Sequence, residues 1–280
     1  MPELPEVETV CRGLAQGLVG RRLVRVVQRR KDLRFPLPAR FVARLRGRRV
    51  TGVERRGKYI LVLLDDDMIL LCHLGMTGRL LLGRAPMPAP DAHDHILIEA
   101  DDGLVVRFND ARRFGVVDLV ARGSLGGHRL IRSLGPEPLD HGFDGATLAR
   151  ALAEKKTSIK AALLDQRVVV GVGNIYACES LFRAGLSPRR LAGSVQGDRA
   201  RRLAKSIKDV LGEAIAAGGS SLRDYVQPDG ELGYFQHLWA VYDREGMPCP
   251  GCNCDVTRTG GIKRIVQSGR GTYYCPRRQR

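Results

Sequence analysis

Met1-Pro2-Glu3-Leu4-Pro5-Glu6-Val7-Glu8-Thr9-Val10 opens the chain, and its two prolines govern how the N-terminal region is read. Pro5 suits the first turn of a helix, where a missing N–H breaks no bond, and Glu6 and Glu8 favour that helix's positive end. Val7, Val10, Cys11, Leu14 and Leu18 recur at helical spacing, so a helix is expected over residues 5–18, with Gly20 after its stop. Pro2 lies ahead of it. An initiator methionine is commonly removed before a small residue or proline, and removal leaves Pro2 with a free secondary amine. Such an amine is less basic than a lysine ammonium, so a useful fraction is neutral near pH 7. Attack on a sugar C1′ gives an iminium ion, the strategy of a Schiff-base lysine. Glu3 stands beside it, able to move protons. A proline in second place is otherwise an ordinary terminus.

Past Gly20 the pattern changes to short β-rich runs at 22–28, 58–64, 68–74, 95–100, 104–108 and 115–120. Such runs, separated by turn signals, predict an antiparallel sandwich or barrel. Gly135, Pro136, Pro138 and Gly142 mark an interdomain linker over 134–144. Helices then dominate. One is expected over Asn174–Ala184, with Asn174 as N-cap, Gly185 at its stop and Pro188 beyond. Another covers 198–217, with Leu203, Ile207, Val210, Leu211, Ala214 and Ile215 on one stripe. A loop from Gly218 to Gly233 leads to a short, basic, cysteine-bearing segment from about residue 237.

With 280 residues, 44% of them hydrophobic, the chain can bury a substantial core. Its formal net charge of +16 calls for a polyanionic partner, nucleic acid or an anionic membrane surface. No apolar run reaches the roughly 18 residues of a membrane span, and the acidic N-terminus lacks the form of a signal peptide. Nucleic acid in the cytoplasm is therefore the expected setting. Of seven cysteines, Cys11, Cys72 and Cys178 sit singly in apolar segments and read as buried small hydrophobes. Cys249, Cys252, Cys254 and Cys275 crowd the C-terminus and read as metal ligands before disulfides. Their segment, 249–280, holds seven basic residues against one acid, Asp255.

The opening Pro2-Glu3-Leu4-Pro5-Glu6-Val7-Glu8-Thr9-Val10 resembles the N-terminal signature of the formamidopyrimidine-DNA glycosylases. The similarity continues through Arg56-Gly57-Lys58-Tyr59, His73-Leu74-Gly75-Met76-Thr77-Gly78 and Asn109-Asp110-Ala111-Arg112-Arg113-Phe114-Gly115. It resumes at Val170-Gly171-Val172-Gly173-Asn174-Ile175-Tyr176-Ala177 and in the C-terminal cysteines, in order along the chain. The implied fold is α+β: an N-terminal helix with an antiparallel β-sandwich (1–133), a helix–two-turns–helix DNA-binding domain (134–236) and a C-terminal zinc-ribbon hairpin (237–280). The implied activity is a bifunctional glycosylase and lyase, acting as a monomer on oxidised purines in damaged double-stranded DNA, without a nucleotide cofactor.

The resemblance makes Pro2 the nucleophile and Glu3 its proton carrier. It places Lys58 in the active site and makes His73 and Arg270 phosphate contacts. By their own chemistry Lys58 reads as a solvated strand-edge lysine and His73 as a sheet histidine. Met76, Arg112 and Phe114 match the family's fillers of the hole that a flipped-out base leaves, for which a flexible apolar chain, a cation and a wedge are suited. Read blandly, Met76 and Phe114 are core and Arg112 is a surface charge. Gly171-Val172-Gly173-Asn174 is no dinucleotide fingerprint, lacking a third glycine; Asn174 at a helix start can meet a phosphate or simply cap. Lys155 is a surface lysine carried as a weak phosphate contact.

One departure stands out. The family's ribbon has two CxxC pairs, whereas here Cys275-Pro276-Arg277-Arg278 puts Arg278 at the fourth ligand position. Cys249, Cys252, Cys254 and Cys275 are the expected ligands of one structural Zn2+, with Cys254 as replacement; three cysteines with another ligand, or a metal-free ribbon, are the alternatives. Two rival readings are an oxidised-pyrimidine glycosylase of the endonuclease VIII branch and a non-catalytic zinc-ribbon DNA-binding protein.

Overall fold

A computed structural model describes residues 1–220, 233–253 and 255–280. It divides into two units, Met1–Arg132 with Ala217–Gln236, and Ser133–Ala216 with His237–Arg280.

The first unit begins with α1 (Leu4–Leu18), which buries the stripe Val7, Val10, Cys11, Leu14 and Leu18. Glu6 reaches back from the first turn and accepts the Glu3 backbone N–H at 2.8 Å, satisfying a donor for which the helix has no internal partner. After β1 (Leu23–Gln28) comes the short α2 (Phe41–Leu45). Seven more strands follow among the described residues: β2 (Val50–Arg56), β3 (Tyr59–Leu64), β4 (Met68–His73), β5 (Arg79–Arg84), β6 (Asp94–Ala100), β7 (Leu104–Asn109) and β8 (Val116–Ala121). The strands form two antiparallel four-stranded sheets, ordered β1-β6-β7-β5 and β2-β3-β4-β8. Phe41, Ile60, Val62, Leu70, Ile96, Ile98, Val106, Phe108 and Val117 make one core between the sheets together with the α1 stripe. The expected sandwich is present, with α1 packed on β2 and β3. Cys11 and Cys72 are buried in that core.

The chain rejoins this unit at 217–220 and 233–236. Ser220 N–H donates to Glu6 Oε1 at 2.8 Å, and Ser220 bridges Tyr234. The intervening residues of the expected Gly218-to-Gly233 loop, 221–232, lie outside the described residues.

The second unit is helical. Asp144 caps α3 (Gly145–Leu152), accepting Thr147 N–H at 2.8 Å, and Ser158 caps α4 (Ile159–Leu164). The central pair is α5 (Asn174–Ala184) and α6 (Gly197–Ala216), which buries Leu203, Ile207, Val210, Leu211 and Ala214. Asn174 is not the N-cap expected from sequence. Gly173 holds that position, and Asn174 is the first helical residue with its side chain engaged elsewhere. Gly185 ends α5 at φ 69°. After α7 (Val256–Thr259), β9 (Lys263–Gln267) and β10 (Arg270–Tyr274) form a hairpin. Its two turn residues, Ser268 and Gly269, have φ of 50° and 72°, the left-handed pair that matches strand twist in a two-residue turn.

Candidate nucleic-acid interface and metal centre

Pro2 and Glu3 directly precede α1 and are both buried, while Met1 is 48% exposed. The two strands under this helix, β2 and β3, meet in the turn Gly57-Lys58, with Arg56 opposite Tyr59. Gly57 sits at φ 58°, the conformation a tight hairpin needs at its first central residue. Lys58 is therefore a turn residue, yet only 6% exposed. A buried ammonium needs polar company, so the bland reading as a solvated strand-edge lysine does not hold.

His73 ends β4 opposite Tyr59, their rings 4.9 Å apart. Gly75 N–H donates to His73 Nδ1 at 2.9 Å, which places the neutral ring's own proton on Nε2. Burial, and then the charges of Lys58 and Arg34, push its pKa down to about 4. His73 is thus a neutral N–H donor at physiological pH.

The next turn carries Met76, and the β7–β8 connection carries Arg112 and Phe114. Met76 is 39% exposed and Phe114 43%, large apolar side chains held out in solvent rather than in the core. The Arg112 guanidinium lies 4.6 Å from the Phe114 ring centre, a cation–π contact. Met76 and Phe114 are therefore not core, and all three project from neighbouring loops of one unit.

In the second unit, Asn174 Nδ2 donates to Gly271 O at 3.0 Å, next to Arg270 in β10. Arg270 is exposed at the first position after the hairpin turn. The structure adds a residue that sequence reasoning missed. Lys160 in α4 is fully buried and donates to Asn174 Oδ1 (2.6 Å), Thr272 Oγ1 (2.8 Å) and Gly271 O (3.3 Å). The available signal was a single lysine inside the apolar run Ile159-Lys160-Ala161-Ala162-Leu163. Lys155 stands apart from this group, in an ion pair with Asp165 at 3.2 Å.

The sulfur atoms of Cys249, Cys252 and Cys275 lie within 4.8 Å of one another, and those of Cys252 and Cys275 are 3.7 Å apart. Bonds of about 2.3 Å to a tetrahedral ion put sulfurs roughly 3.8 Å apart, so the three residues fit as donors to a metal ion. Cys254 lies outside the described residues. Arg278 donates from Nη1 to Gly251 O at 3.0 Å and packs over the Phe182 ring at 4.9 Å. A Cβ on Gly251 would come 2.6 Å from that Nη1, so the guanidinium lies directly against the cysteine turn.

A β-sandwich with Pro2 buried behind Met1, and a helical unit ending in a basic, cysteine-bearing hairpin, are the architecture of a DNA-repair glycosylase, as the family models also show. The chain belongs to the formamidopyrimidine-DNA glycosylase family. The family models described as the formamidopyrimidine-DNA glycosylase N-terminal domain and H2TH domain match residues 1–117 and 134–226. The formamidopyrimidine-DNA glycosylase of Rhodospirillum centenum is 62% identical, with both chains covered in full. Among solved structures, MutM (Fpg) from Thermus thermophilus is similar at a TM-score of 0.86 and 44% identity, over 99% of this chain and 98% of that one. Lactococcus lactis Fpg, solved in complex with DNA containing an abasic site, is similar at 0.87 and 33% identity, over 99% of each chain. Among the described residues, no helix is long and apolar enough to cross a membrane.

Proposed function

We propose that this chain is a bifunctional DNA glycosylase and lyase of base excision repair that removes 8-oxoguanine and formamidopyrimidines from double-stranded DNA. The observation that carries the reading is the N-terminus: Pro2 and Glu3 are buried at the start of α1, and Glu6 fixes the Glu3 N–H at 2.8 Å. Once Met1 is removed, the Pro2 nitrogen attacks C1′ of the damaged nucleotide and the bond from C1′ to the base breaks. Sugar-ring opening leaves an iminium between Pro2 and C1′. The iminium acidifies C2′, so loss of its proton expels the 3′ phosphate, and a second elimination expels the 5′ phosphate. Glu3 carries the protons of ring opening and elimination.

Lys58 holds the lesion or its phosphate, and His73, Asn174, Arg270 and, more weakly, Lys155 meet the backbone. Met76, Arg112 and Phe114 occupy the space the base leaves. One Zn2+ would be held by Cys249, Cys252 and Cys275 with Cys254 as fourth ligand, in a structural role. No nucleotide cofactor is used. The working division remains 1–133, 134–236 and 237–280, and the setting is the bacterial cytoplasm.

A panel of short duplexes tests the assignment. The protein should excise 8-oxoguanine and formamidopyrimidine faster than oxidised pyrimidines. Preference for pyrimidine lesions would move the chain's specificity to the endonuclease VIII type.

A further inference from the structure

We propose that Asp110 and Thr77 are a positioning pair that locks the two loops bearing Met76, Arg112 and Phe114 into a single rigid wedge. The proposal rests on reading those three residues as the ones that enter the duplex. Asp110 is fully buried, and a buried carboxylate persists only where donors surround it. It accepts the Thr77 hydroxyl at 2.5 Å and the Gly115 N–H at 2.8 Å. Its backbone carbonyl accepts from His95 Nε2 at 2.8 Å, which anchors the residue to β6.

Thr77 passes the connection on, its Oγ1 accepting the Arg112 N–H at 3.2 Å. The path runs from the β7–β8 loop to the β4–β5 loop and back, and it ends beside each exposed side chain. Thr77 is next to Met76 in the chain, Gly115 is next to Phe114, and Arg112 is bonded itself. The backbones touch as well: a Cβ on Gly75 would lie 2.5 Å from the Phe114 carbonyl carbon, and Gly75 sits at φ 64°. The wedge is thus exposed at its tips and tied underneath by one carboxylate.

Extruding a stacked base costs a few kcal/mol, which a yielding loop would not supply. A preformed abasic site has no base to unstack. The pair therefore acts on excision and not on elimination. Loss of a charge-assisted hydrogen bond slows single-turnover excision of 8-oxoguanine by roughly thirtyfold in Thr77→Val and in Asp110→Asn. Cleavage of a preformed abasic duplex stays within about threefold, because its barrier to extrusion is smallest. Thr77→Ser, which keeps the hydroxyl, restores excision.

The experiment compares these variants on both substrates, with 2-aminopurine beside the lesion reporting unstacking. Selective loss of excision and of the fluorescence rise in Thr77→Val, rescued in Thr77→Ser, is the expected result. Equal losses on both substrates, or excision by Thr77→Val at the wild-type rate, would overturn the proposal. A wild-type protein inert on both substrates would instead overturn the glycosylase reading beneath it.

Discussion

Lys160 Nζ donates to Asn174 Oδ1 at 2.6 Å, and Lys160 also bonds Gly271 and Thr272 of β10, so the start of α5 and the strand that begins with Arg270 share one buried cation. An ammonium has only donors to offer, and these oxygens accept from it. Lys160→Met keeps the length and removes the charge, leaving buried acceptors unmatched. It should lower stability by about 2–4 kcal/mol in urea unfolding and weaken duplex binding about tenfold. Lys155→Ala breaks only a solvent-screened pair with Asp165 and should cost under ~1 kcal/mol. Similar small effects from both would remove Lys160 from the interface.

Much of this architecture was legible in the residues, and the gaps have physical causes. The stripe of α1 and the strands built from Ile, Val and Leu runs appear where periodicity placed them. β2 and β5 went unread, and both are edge strands. An edge strand needs little apolar alternation, and Val50-Thr51-Gly52-Val53-Glu54-Arg55-Arg56 has little. Asn174 and Lys160 were hidden for another reason. Propensity makes asparagine a cap and lysine a surface residue, and only tertiary contact 14 residues apart reveals their pairing.

Burial depresses the pKa of His73, to about 4 from an ordinary 6.5. Between those values the unfolded chain takes up a proton that the folded chain refuses. The contribution of His73 to stability is therefore full above about pH 6.5 and declines as pH falls toward 4. His73→Gln, which does not titrate, should flatten the fall of Tm with acidity across that window. Parallel Tm-against-pH curves for the two proteins would contradict the assignment.

Arg270 is exposed beside the hairpin turn. If it neutralises one phosphate, Arg270→Ala should reduce the magnitude of the log Kd against log salt slope by about one unit. Binding titrations between low and moderate salt measure it. An unchanged slope would take Arg270 out of the DNA contact.

Hydrogen bonds fasten the C-terminal tail. Gln279 is 3% exposed, accepts Cys275 N–H at 2.8 Å and donates to Leu186 O at 2.9 Å. Arg280 pairs with Gly185 and Ser187 through the backbone. Under reducing conditions Cys254→Ser should lower zinc content, whereas Arg278→Ala should leave it unchanged. Stripping the metal should weaken DNA binding, and so should Gln279→Leu, which leaves buried backbone groups unmatched at about 1–3 kcal/mol. Metal analysis with binding assays decides it. A Cys254→Ser variant that keeps one tightly held zinc would refute the ligand assignment.

The central claim is that the Pro2 nitrogen forms the bond to C1′, and sodium borohydride reads that bond directly by reducing the iminium to a stable protein–DNA link. The wild-type protein should be trapped on 8-oxoguanine duplex, with the link mapping to Pro2 by peptide mass analysis. Pro2→Gly, and a protein that keeps Met1, should yield no trapped complex while still binding the duplex. Trapping of both variants at the wild-type rate, or a link that maps to Lys58 or Lys160, would contradict the account.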